Sequence, residues 1–204
     1  MFDPGTAIIQ AKVTLEDIAP PIWRQLLLPP TLNLAELHHV IQAAFGWLDC
    51  HLHEFVVGGL CYGAPELLEQ DFEDDRQVFE ATLIRLRDFD WVYTQPIRFF
   101  YVYDFGDNWR HQVELETRMP PDPARKYPAC IAGARACPPE DVGGTSGYAE
   151  FLEAWADPDH QEHHHMRRWA GRSFKPERFD LAKTDQAVRS AVRKARKDYI
   201  FRRD

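Results

Sequence analysis

Ala7, Ile9, Ala11, Val13 and Leu15 alternate with mostly polar neighbours. A period of two buries one face of a strand and leaves the other in water. The same alternation returns at residues 51–57, 97–104 and 109–117. Ile22–Leu28 is an apolar run bounded by Pro20-Pro21 and Pro29-Pro30, and reads as a further strand. Phe105-Gly106-Asp107-Asn108 joins two of the alternating runs, and Gly-Asp between apolar runs signals a hairpin. Helical spacing enters early only once, at Leu34, Leu37, Ile41, Ala44, Phe45 and Leu48. Asn33 with Glu36 predicts a capping box there, and Gly46 a C-cap. The other helical stretches come late, at residues 148–155, 160–170 and 181–201. Strands early and helices late, without a βαβ rhythm, predict an α+β fold with a mostly antiparallel sheet.

Between these elements the pattern fades. Residues 58–77 are acidic and irregular and predict a surface loop, and residues 82–89 a short helix. Residues 118–147 are rich in Pro and Gly with little periodicity. A stretch that long is functional or an ordered, packed loop.

The chain has 204 residues, of which 45% are hydrophobic, enough for a real core. No run of about 18 apolar residues occurs, which argues against a membrane helix. Nothing at the N-terminus reads as a secretion signal, and four cysteines do not form a disulfide framework, so a cytoplasmic, reduced protein is expected. The formal charge of −8 hides an asymmetry: residues 166–204 carry 13 Lys/Arg and 5 Asp/Glu, a net of +8, against −16 for the rest. A basic tail either touches nucleic acid or docks on an acidic body. Along helix 181–201 the apolar stripe Val188, Ala191, Val192, Ala195 and Tyr199 favours docking, on the same chain or on a second copy as a homodimer contact.

Four constellations carry chemistry. His51 and His53 share a face if residues 51–57 form one strand, and His111 lies on the apolar face of the hairpin with Asp107 in its turn. His51, His53, Asp107 and His111 are therefore the candidate ligands of zinc or another divalent transition metal. The competing reading makes His53 and His111 buried residues satisfied by each other, or by Asp104 or Asp107. Second, Asp107 in the turn and Glu140 with Asp141 on a stiff Pro-Pro loop are candidate catalytic carboxylates; bracing the loop is the alternative. Third, Cys130 and Cys137 have six residues between them, wider than zinc knuckles use, and suit buried structural thiols. Fourth, His160, His163 and His164 share a helix face, which reads as a solvated polar face. Nucleophilic serine chemistry has no G-x-S-x-G motif, and strand geometry would point Cys50 away from His51.

Several segments together resemble one family. They are Leu37-His38 with Phe45-Gly46-Trp47, His51-Leu52-His53-Glu54-Phe55, Tyr103-Asp104-Phe105-Gly106-Asp107 with Trp109 and His111, and Cys137-Pro138-Pro139-Glu140-Asp141-Val142-Gly143-Gly144 with Gly147-Tyr148. The chain is identified by them as a member of the plasmid pRiA4b ORF-3-like family, from about Thr6 to Asp180. The resemblance implies an α+β roll and a mobile-element setting, with no established activity. Some members are labelled resolvases, but the first serine here is Ser146, and Tyr199 has no Arg-His-Arg set ahead of it.

On this reading residues 1–180 form the family domain and residues 181–204 a basic helical extension. The leading expectation is a non-enzymatic binding or accessory module with no required cofactor, whose partner is an unidentified protein or DNA and not a membrane. One rival is a metal-dependent hydrolase or nuclease using His53, Asp107 and His111. The other is a nucleic-acid binder acting through the C-terminal helix.

Overall fold

The structure is a computed structural model and describes residues 6–63, 67, 77–89, 96–171 and 173–201, without the side chains of residues 194 and 197–201. Most of the acidic stretch within residues 58–77, and the side chain of Tyr199, lie outside the described residues.

Eight strands form one sheet: β1 Ile8–Leu15, β2 Ile22–Leu28, β3 His53–Val57, β4 Leu60–Gly63, β5 Val78–Glu80, β6 Ile97–Tyr103, β7 Trp109–Met119 and β8 Ala129–Ala134. Their order is β5-β4-β3-β6-β7-β1-β2-β8. Every pairing is antiparallel except β4 with β5. The helices are α1 Leu34–Phe45, α2 Gly144–Ala156, α3 His163–Trp169 and α4 Leu181–Phe201, so the α+β architecture with helices mainly C-terminal is present.

The alternation in β1 puts Ile9, Ala11, Val13 and Leu15 in the core. Beside them stand Val113 and Leu115 of β7 and Phe99, Tyr101 and Tyr103 of β6, all essentially water-free. Each such aliphatic side chain contributes about 1.5–3 kcal/mol when fully buried. Helix α1 lays Leu37, Val40, Ile41 and Ala44 on this face. Its capping box is formed: the Asn33 side chain accepts from the Glu36 N–H at 2.8 Å, and the Asn33 N–H donates back to Glu36 at 3.2 Å. Gly46 closes the helix at φ 89°, a conformation glycine adopts without strain.

Helix α4 packs against α1 and β8 of the same chain, burying Val188, Ala191, Val192 and Ala195. One ion pair and one hydrogen bond tie it to the body. Arg196 meets Glu36 at 2.7 Å, and Asp185 accepts from the Cys130 N–H at 3.0 Å while also pairing with Arg189.

Four expectations need correction. Residues 118–147 are not irregular throughout, because β8 pairs along β2. Its sequence, Ala129-Cys130-Ile131-Ala132-Gly133-Ala134, is made mostly of small residues with no alternation, and tertiary pairing overrides its weak propensity. The stretch 58–77 contains β4, and residues 82–89 hold only the single 3₁₀ turn Leu86–Asp88. Helix α2 begins at Gly144, one turn before the apolar periodicity starts at Tyr148.

Candidate metal centre

Strand β3 starts at His53, so the regular alternation does not reach His51. His51 sits in a bend, with the Asp104 N–H donating to the Leu52 carbonyl at 2.9 Å just beyond it. His51 and His53 consequently enter different clusters, His51 beside Asp104, Glu140 and Asp141 and His53 beside His38. The bend also brings the Cys50 Sγ to the same cluster as His51 and Glu140, against the expectation that Cys50 points away.

His53 packs inwards. Its ring stacks on His38 with centroids 3.4 Å apart and planes 7° from parallel. His38 belongs to a closed chain of hydrogen bonds. The Gln42 side-chain amide donates to the Tyr101 hydroxyl at 2.9 Å, that hydroxyl meets His38 Nδ1 at 2.7 Å, and His38 Nε2 meets Asp49 at 2.7 Å. His39 reaches the other Asp49 oxygen at 3.3 Å. Burial pushes both His38 and His53 below the ordinary imidazole range, so the stack is one of neutral rings. Burial works to raise the Asp49 carboxyl, but hydrogen bonds from His38 and His39 overcome it and hold the group well below the usual range.

His111 is fully buried on the far side of Tyr101, whose ring centroid lies 5.3 Å from that of His111 and 5.8 Å from that of His53. Its Nδ1 lies 3.0 Å from the Trp109 carbonyl, and its Nε2 accepts from the Trp47 indole at 3.3 Å. That fixes the Nδ1–H tautomer. Burial lowers its pKa to about 4. His53 and His111 are thus occupied in two separate packing clusters.

Asp107 braces the structure. Its side chain accepts from the Gly143 N–H at 3.1 Å, tying the 138–144 strap to the β6–β7 turn. The strap approaches so closely that a Cβ on Gly144, at φ 68°, would stand 2.6 Å from the Asp107 carbonyl oxygen. The Gly-Gly pair therefore answers to this contact.

Around His51 the structure gathers Asp104, Glu140 and Asp141. His51 Nε2 lies 3.6 Å from Asp104 Oδ2, 4.0 Å from Glu140 Oε2 and 3.1 Å from Asp141 Oδ1. Each inner carboxylate has one oxygen engaged. Asp104 Oδ1 accepts the Gly106 N–H at 3.0 Å. Glu140 Oε1 accepts the Leu48 N–H at 2.6 Å and the Tyr103 hydroxyl at 3.2 Å. The other oxygens face His51. Among the described residues His51 Nε2 and Glu140 Oε2 are buried atoms with no hydrogen-bond partner. Asp141 is open to solvent at 72% exposure and forms the mouth. Asp104 and Asp141 both hold left-handed backbone at φ 56°, where a non-glycine residue is strained. The Tyr103 phenol is pushed above its ordinary range, chiefly by burial, and stays a neutral donor to Glu140.

Of the sequence-derived candidates, His51, Glu140 and Asp141 meet, while His53, Asp107 and His111 lie elsewhere in the roles just described. Asp104 is the residue the sequence reading left out of the ligand set. The signal was the Asp-Phe-Gly order at a strand end, where an Asp side chain turns back on the backbone two residues later. The chemistry of the set, one imidazole and three carboxylates, two of them with their second oxygens fixed by donors, fits a divalent transition metal.

Such a centre on an antiparallel α+β frame defines a class rather than an activity. Residues 7–183 match the family described as plasmid pRiA4b ORF-3-like protein, and the chain belongs to that family. It is 39% identical over 168 residues to the uncharacterized protein y4hQ of Sinorhizobium fredii, covering 82% of each chain. The crystal structure of the protein of unknown function MM3350 from Methanosarcina mazei is similar at a TM-score of 0.74 and 36% identity, covering 86% of this chain and 96% of that one. No helix among the described residues is long and apolar enough to cross a membrane.

Proposed function

We propose that the protein is a metal-dependent hydrolase of mobile-element origin, working in the cytoplasm, whose single divalent ion is held by His51, Asp104, Glu140 and Asp141. The observation that carries this is the pair of buried atoms that make no hydrogen bond among the described residues, His51 Nε2 and Glu140 Oε2, 4.0 Å apart, with Asp141 only 3.1 Å from the imidazole. A buried polar atom without a partner costs about 1–3 kcal/mol, and an ion would satisfy both at once. A protonated His51 would offer one positive charge to three carboxylates and still leave Glu140 Oε2 without a donor.

An ion held there would supply a Lewis acid and would lower the pKa of a bound water towards neutrality. The chain's own residues do the positioning. Tyr103 and the Leu48 N–H hold Glu140, the Gly106 N–H holds Asp104, and Asp141 stands at the solvent-exposed edge of the set.

The test is calorimetric titration of metal-free, untagged protein with Zn²⁺ and Mn²⁺, followed by turnover of p-nitrophenyl acetate and bis(p-nitrophenyl) phosphate. The expected result is one ion per chain, lost in His51→Ala and Glu140→Gln, with metal-dependent hydrolysis of one substrate. Binding without turnover would return the protein to the non-enzymatic binding module. No stoichiometric ion would remove the metal reading.

A further inference from the structure

The strap 138–144 separates two clefts of opposite charge. On one side a space of about 500 Å³ is lined by Asp141, Glu150, Glu153 and Glu162. On the other a space of about 560 Å³ is lined by Arg24, Arg178, Lys183, Trp47, Phe174 and the strap itself. Trp169, 44% exposed, stands in the wall of both. Glu140 lines the second cleft and also belongs to the His51 cluster, so the cleft and the proposed metal centre share that residue.

The floor of the second cleft holds a buried cation. Arg24 is 2% exposed, and among the described residues no carboxylate pairs with it. Four of its N–H groups go to the carbonyls of Ala44, Trp23, Ala134 and Arg135. A guanidinium has five, so one donor has no partner among the described residues. Phe45 and Phe179 cover its faces, with ring centroids 4.9 and 4.4 Å from Arg24 Cζ. A buried charge without a counter-ion is costly and attracts an anion. Arg178 and Lys183 add positive charge at the rim, while Asp180 already engages Arg178 at 3.6 Å and accepts the Lys183 N–H at 3.1 Å.

The geometry points to a subsite for a small aromatic anion: a planar ring against Trp169 and Phe174, an acidic group towards Arg24, Arg178 and Lys183, and the reacting end at Glu140. The acidic cleft across the strap repels the same molecule, so the charge pattern selects one side. The inference rests on the proposed metal centre only for which end of the ligand reacts; the cleft and its charge stand without it.

The acidic group is a carboxylate or a phosphate, and two probes separate them. Binding of 1-naphthoate and of AMP is followed by calorimetry on the full chain, metal-free and metal-loaded, with 1-naphthylmethanol and adenosine as uncharged controls. The expected result is saturable binding of at least one anion at Kd of about 1 mM or tighter, with uncharged controls weaker by about 10-fold. Arg178→Glu with Lys183→Glu, both exposed and free to change without refolding the core, should weaken the anion by about 10-fold or more. Trp169→Ala should weaken it while leaving metal stoichiometry unchanged. Anion binding that persists where no metal binds keeps the cleft and removes only the metal reading. Metal binding with no anion bound, with controls bound equally well, or with the charge-reversed variant unchanged, overturns the cleft and spares the metal centre.

Discussion

Two clusters of histidine and acid lie near each other in this molecule and differ in one respect. In the His38–His39–Asp49 cluster every partner is internal: Asp49 receives two imidazoles, Tyr101 bridges Gln42 and His38, and His53 stacks over the top. In the His51–Asp104–Glu140–Asp141 cluster the backbone donors take one oxygen of each inner carboxylate and leave the others pointing at an imidazole that does not complete a hydrogen bond. The first has the residue types and spacing of a metal site, and His51 has them with Asp104 and Asp141 and, separately, with Cys50 and Glu140. The difference lies in satisfaction. A closed network rigidifies the core, whereas one left incomplete calls for something outside the chain.

The comparison breaks most sharply at the buried imidazoles. His111→Ala should cost about 3 kcal/mol, because it opens a void and strips the Trp47 indole of its acceptor. A thermal midpoint within error of wild type would show that His111 is not held as described. Acid should act on the same closed side. Burial lowers His38, His53 and His111, the last to about 4 from its ordinary 6.5. The unfolded chain takes up these protons first, so stability is complete above pH 6.5 and falls as pH drops towards 4, by roughly 3 kcal/mol from His111 alone. Denaturant midpoints that stay level between pH 7 and 4.5 would contradict this.

The strap gives the next effect. Gly144→Ala places a Cβ against the Asp107 carbonyl in left-handed backbone, and should cost about 1–3 kcal/mol while weakening metal binding through displaced Glu140 and Asp141. Unchanged metal affinity in a destabilised variant would separate the strap from the centre. The smallest change in stability belongs to the open cluster. His51→Ala in metal-free protein should cost less than about 0.5 kcal/mol, and any larger shift should be stabilising, since the imidazole Nε2 has no hydrogen bond to lose. A loss as large as that of His111→Ala would mean that His51 braces the fold.

Much of the frame was legible from local chemistry. The β1 alternation, the Asn33–Glu36 box with Gly46 and the turn between β6 and β7 are all set by residues within a few positions of each other. The site was legible only in part. His51, Glu140 and Asp141 were marked by type, but which histidine faces which acid depends on where β3 begins, and the period-two pattern overran that boundary by two residues. Asp104 was placed as a hydrogen-bond partner because its role comes from the turn after β6 meeting a strap more than 30 residues later. Small-residue β8 was invisible because its pairing with β2 is a tertiary fact.

The most direct test is a crystal grown with Mn²⁺ and examined by anomalous scattering, since both clusters compete in the same lattice. The account predicts one peak, between His51 Nε2 and Glu140 Oε2, with ligand atoms drawn in to about 2.0–2.3 Å. A peak at His38, His39 and Asp49, or none at His51, would contradict it.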